Sequence, residues 1–210
     1  MKHAKPAEAI LLIGPTSAGK TPLGAHMERR GILGRRCHHF DFGHQLRSIA
    51  GLREPPPDVS PDELRFMCDV LEKGRLLEDE HFPLAEKIFN IFLAESGWGE
   101  PDRIILNGLP RHVGQARDME RLVTVMHLLV LECCAEDVCA RIEKNTGGDR
   151  THRTDDSEEM IRKKLGLYHG RTAPLMEYYA AKVSSLVNVC VDAASTSESL
   201  YAQFLSLLYP

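Results

Sequence analysis

The chain has 210 residues, 43% of them hydrophobic and 27% charged, with a formal net charge of -4, the profile of a globular protein of one domain with room for small inserted lobes. The acidic balance argues against nucleic acid as a partner, because polyphosphate backbones call for a basic face. The apolar run behind residues 1–8 is too short for a signal-peptide core or a membrane span, so no membrane is expected and the cytoplasm is the simplest address.

Residues 9–13 form a continuous apolar segment that stops at Gly14, the pattern of a strand buried on both faces of a parallel sheet. A glycine-rich turn follows, then helical spacing over 22–30. Residues 38–40 make a weaker strand, and Glu54-Pro55-Pro56-Pro57-Asp58 is an extended loop, since prolines donate no backbone hydrogen bond. Helices are expected over 60–73, 82–95, 116–122, 137–144, 156–182 and 197–208, the long one bending or breaking near Pro174. Strands are expected over 103–106, 128–131 and 187–191. Strand and helix alternate, which predicts an α/β domain with a doubly wound, parallel five-stranded sheet flanked by helices. The six cysteines include no Cys-x-x-Cys pair and read as buried thiols and not as a zinc site.

Gly14-Pro15-Thr16-Ser17-Ala18-Gly19-Lys20-Thr21 matches the phosphate-loop pattern G-x-x-x-x-G-K-[ST], and it lies between a strand and a helix as that pattern requires. Gly14 and Gly19 let the backbone curl, so that N–H groups of Thr16, Ser17 and Ala18 face phosphate oxygens at the positive end of a helix. Lys20 would reach the β- and γ-phosphates of ATP, and the Thr21 hydroxyl a magnesium ion. The loop alone does not separate kinases from other nucleotide-driven proteins.

A second block, Asn107-Gly108-Leu109-Pro110-Arg111, runs off a strand and is followed by Gln115. A third gathers Arg153-Thr154-Asp155-Asp156, Arg162-Lys163-Lys164 and Tyr168-His169. With the phosphate loop and Gly43-His44-Gln45-Leu46-Arg47, these residues resemble the adenylate kinase family, a group of nucleoside monophosphate kinases, in order and spacing along nearly the whole chain. The resemblance implies a P-loop kinase domain over 1–210, with a monophosphate-binding lobe inserted at 43–76 and a short lid at 141–156. It implies ATP and a nucleoside monophosphate as partners, Mg2+ as cofactor and a monomer. Arg47 and Arg111 would hold the acceptor phosphate, with Phe42, Gly43 and Gly108 around it. Arg153 and Lys164 would serve the transferring group, Arg141 would lie against the ATP adenine, and Gln115 would read the adenine edge of AMP.

The chain departs from the family at five motif positions. His44 and Asn107 stand where relatives have aspartates near the metal's water shell. Asn107 can still accept a hydrogen bond from a metal-bound water, and Asp41 or Glu132 could compensate for the lost charge. Pro22, Asn145 and Phe42 replace a threonine, a lid arginine and a base-contacting hydroxyl. The expected activity is reversible phosphoryl transfer from ATP to a nucleoside monophosphate, AMP favoured. The alternatives are a nucleotide-binding module with little or no kinase activity and a P-loop kinase for another small acceptor.

Overall fold

The computed structural model describes residues 6–149 and 157–209. Five strands, β1 (Ala7–Ile13), β2 (Cys37–Asp41), β3 (Arg103–Asn107), β4 (Val123–Glu132) and β5 (Ser185–Cys190), pair in the order β2-β3-β1-β4-β5. Every pairing is parallel. Side chains alternate across the sheet, and along β1 that alternation feeds two cores: Ala9, Leu11 and Ile13 face one, Ile10 and Leu12 the other. Both faces are therefore apolar, as the continuous hydrophobic runs predicted.

Helices α1 (Lys20–Arg30) and α9 (Ser197–Leu208) cover one face. On the other lie α2 (Phe42–Ala50), α3 (Pro61–Lys73), α4 (Phe82–Ser96), α5 (Val113–Met119) and α8 (Leu175–Ala180), while α6 (Ala135–Lys144) and α7 (Glu158–Leu167) flank the site. No described helix is long and apolar enough to cross a membrane.

Local signals explain most boundaries. Ser60 and Glu63 form a reciprocal capping box with Pro61 in the first turn of α3, and Gly74 ends that helix in the left-handed conformation. Pro22 sits in the first turn of α1, where its missing N–H leaves no helical bond unmade.

Four expectations change. The α2 helix was not anticipated; it starts because the Asp41 side chain accepts from the His44 N–H. Strand β4 begins at Val123, earlier than the apolar run suggested, because α5 starts and ends sooner, with His112 as its cap. The stretch over 156–182 does break near Pro174, which caps α8, but the division starts earlier than expected, at a π-turn over Tyr168–Thr172. Of the cysteines, Cys37 is buried and Cys133 half-buried, but Cys68, Cys134, Cys139 and Cys190 are exposed thiols. Cys68 and Cys139 lie on outer faces of α3 and α6, and Cys190 lies on an edge strand.

Candidate active site

From β1 the chain leaves toward β2, and from β3 toward β4, so the connections diverge at the carboxyl ends of these neighbouring strands. Such switch points open a crevice, and here both strands end in glycine turns beside it. Gly14 packs so tightly that a Cβ would lie 2.8 Å from the Leu131 carbonyl oxygen. Ser17 and Gly19 are left-handed, with φ of 62° and 89°, which curls the loop into the first turn of α1.

Arg141 of α6 holds that curl from behind. Its Nε donates to the Ser17 oxygen at 2.9 Å, and its Nη1 to the Asp192 and Ser195 oxygens at 2.7 and 2.8 Å. Across the same peptide the Ala18 N–H closes the turn by donating to the Pro15 oxygen at 3.4 Å. The sequence reading set Arg141 against an adenine. With 2% of its surface exposed and three carbonyls on its guanidinium, it offers no open face to a base in this structure and instead braces the phosphate loop.

Lys20 Nζ donates to the Gly14 and Pro15 oxygens at 2.7 and 2.6 Å, folding back over the loop. Next to it the Thr21 hydroxyl donates to Asp41 Oδ2 at 2.6 Å. Asn107 Nδ2 donates to the same Oδ2 at 2.8 Å and to the Thr21 oxygen at 3.1 Å. Asn107 thus donates through its nitrogen, an interaction the sequence reading did not foresee, while an amide also carries an acceptor oxygen. Burial works against the Asp41 charge, but the bonds from Thr21 and the His44 N–H outweigh it and hold the carboxyl below its usual range. Under this network lies His39, packed so closely on α1 that a Cβ on Gly24 would collide with its ring. Burial pushes the His39 pKa down.

The opposite wall carries the expected acceptor residues. Arg47, in the last turn of α2, lays its guanidinium over Gly43, and Phe42, Gly108 and Arg111 border the same cavity. The Arg111 N–H donates to Gln115 Oε1 at 2.8 Å, and its oxygen accepts from the Thr172 hydroxyl at 2.9 Å. Gln115 Nε2 donates to the Leu77 oxygen at 2.9 Å, and Gln115 is 1% exposed. Both ends of this amide already serve the backbone.

Lys164 of α7 lines the cavity, as does Asp149, whereas Arg153 lies outside the described residues. Arg75 also lines it and was missed, because a lone basic residue behind a glycine-ended helix belongs to no recognisable pattern. Among the described residues, Lys20, Arg47, Arg75, Arg111 and Lys164 face the cavity against two carboxylates, Asp41 and Asp149. In a chain of net charge -4, that excess of cations marks a site built for anions.

A phosphate-loop pattern at the switch point of such a sheet, opposed by arginines across a crevice, defines the class of the fold, an α/β domain of the P-loop type. The fold matches the unliganded crystal structure of a sugar kinase from Janibacter sp. HTCC2649 with a TM-score of 0.53 and 15% identity, over 97% of this chain and 95% of that one. In sequence the chain is similar to adenylate kinases along nearly its whole length. That of Thermus thermophilus is 27% identical over 207 residues, covering 96% of this chain and 97% of the relative. Those of Haloarcula marismortui and Rhodopirellula baltica are 24% and 27% identical over 92% and 95% of this chain, and 93% and 94% of their own. No family model matches the chain.

Proposed function

We propose that the chain moves the γ-phosphoryl group of ATP onto the phosphate of a nucleoside monophosphate, with AMP the first acceptor to test. The observation that carries this reading is the convergence of cations from both walls, Lys20 on one side and Arg47 and Arg111 on the other, on one cavity that begins at the phosphate loop. An acceptor-phosphate oxygen would bond to the γ-phosphorus as the bond to the β–γ bridging oxygen breaks, giving two diphosphates. The protein has little covalent work in such a transfer and acts by positioning and charge.

In this proposal the loop N–H groups and Lys20 hold the β- and γ-phosphates. Arg47 and Arg111 grip the acceptor phosphate, where a guanidinium fork matches two oxygens at once. Lys164, with Arg153 from the lid at 141–156, draws negative charge off the transferring group. The lobe at 43–76 covers the acceptor, and closure of both lobes keeps water from taking the phosphoryl group. The donors near the loop suit magnesium, an oxygen-seeking ion that binds through one or two protein groups plus phosphates. Thr21 would contribute the hydroxyl, and the ion, when bound, neutralises charge on the β- and γ-oxygens.

A coupled assay of ADP production over the ribo- and deoxyribonucleoside monophosphates, with ATP and Mg2+, tests the reading. Lys20→Met should lower the rate by roughly 100-fold or more, the usual cost of removing one transition-state charge contact, with an unchanged thermal melt. Survival within a few-fold would remove the phosphate loop from the chemistry. A wild type that binds ATP but phosphorylates no monophosphate would favour a binding module. One observation favours an acceptor other than AMP: the Gln115 amide is engaged by the backbone at both ends, and Phe42 borders the acceptor space. A preference for a different base in the same assay would support that second reading.

A further inference from the structure

We infer that Asp41, at the end of β2, is the carboxylate that serves the magnesium of the nucleotide site, and that Asn107, its neighbour on β3, positions it. The inference rests on the ATP-dependent reading above and assigns the acid that reading lacks. In a phosphate loop the hydroxyl after the lysine is the group that meets the ion. Any carboxylate in contact with that hydroxyl is therefore within reach of the ion's shell. Asp41 Oδ2 is 2.6 Å from the Thr21 oxygen.

Two features make Asp41 a built ligand and not a passing contact. Its orientation is set at both ends, since Oδ1 caps α2 through the His44 N–H at 2.9 Å and Oδ2 is aimed at the loop. Its hydrogen-bond partners are also neutral: a hydroxyl, a backbone N–H and the Asn107 amide. With 9% of its surface exposed and a place in the lining of the cavity, it presents carboxylate oxygen, the donor that a hard divalent cation seeks.

Asp41 and Asn107 stand directly opposite each other in the β2–β3 register. One acid and one amide therefore share a single spot, and the charge could be carried by either strand. Here β2 carries it, while β3 supplies the amide that donates to Oδ2. An acid added at Asn107 would then not restore a missing charge. It would set two carboxylates side by side, where like charges force them to hold a proton.

Calorimetry of ATP binding to the full chain, with and without Mg2+, tests the assignment without relying on turnover. Asp41→Asn keeps the helix cap, because asparagine caps as well as aspartate, and a thermal melt checks that it folds. Its Mg2+-free ATP affinity should stay within about threefold of wild type, while the tightening produced by Mg2+ should shrink by roughly 10- to 100-fold, the usual cost of losing a group that supports a metal. Asn107→Asp alone should not strengthen Mg2+ dependence, and the exchange D41N/N107D should recover most of it. Undiminished tightening in Asp41→Asn, or tightening beyond wild type in Asn107→Asp, overturns the assignment while the nucleotide reading stands. A wild type that binds no ATP in either buffer overturns both.

Discussion

Arg141 shows how far a single side chain's role can lie from its motif position. Its partners, the oxygens of Ser17, Asp192 and Ser195, are 51 to 124 residues away in sequence, so only the folded chain reveals that it supports the phosphate loop. By contrast, the turn from Gly14 to Thr21 between β1 and α1 was legible because the phosphate-loop pattern dictates both residue type and spacing over eight consecutive positions. Arg141→Lys should lower stability by about 1–3 kcal/mol, since a lysine cannot satisfy three carbonyls that lie in two directions and buried acceptors would lose their donor. ATP affinity should fall with it, by about tenfold, and equally for GTP. Thermal melts paired with ATP and GTP titrations check this. A change in base preference at unaltered stability would return Arg141 to an adenine contact.

Strand β2 and helix α2 were the least legible elements, although they hold much of the site. The β2 run, Cys-His-His-Phe-Asp, is weakly apolar on its surface reading, and α2 depends on a cap from a residue that also faces the loop. Packing decides instead: His39 occupies the space left open by Gly24 on α1, which settles how β2 lies against that helix. This burial has a pH consequence. Desolvation lowers the pKa of His39 and of His127 on β4, with Arg103 adding to the effect on His127. The unfolded chain takes up protons near pH 6.5 while the folded chain resists, so the unfolded state binds more protons below that point and stability falls. The urea midpoint should therefore decline as pH drops from about 7 toward 5, and His39→Gln with His127→Gln should flatten that decline. A flat wild-type profile would mean that both rings protonate freely in the folded state.

Across the whole molecule, the doubly wound parallel sheet of five strands followed from the sequence, because alternating apolar runs and helices admit few parallel arrangements. What could not be read was how the far wall of the cavity is held. Lys163 Nζ of α7 donates to the Lys73 oxygen at 2.5 Å, Arg171 pairs with both Glu78 oxygens at 2.8 and 3.2 Å, and Met160 sits where a side chain on Gly74 would collide with it. These contacts join residues 90 and 93 apart, beyond the range of any local pattern. They link α7 and the π-turn behind it to the end of α3 and the segment that follows, and so tie two walls of the cavity.

Exposed pairs of this kind contribute only about 0–1 kcal/mol each and weaken with salt. In the proposed cycle of closure and release, such pairs set only a shallow balance between a shut and a gaping crevice, one that the surrounding electrolyte can tip. Raising salt from about 0.05 to about 0.5 M, which shortens the screening length to a few ångströms, should raise the acceptor KM of the wild type. Arg171→Ala should show the raised KM already at low salt and respond less to further addition, as read from steady-state kinetics at both concentrations. An Arg171→Ala profile superimposable on wild type would show that the Glu78 pair plays no part. With the pair acting as described, the same chain would capture its acceptor more tightly in a dilute medium and let product go sooner in a concentrated one, so that the ions around it set the tempo of its cycle.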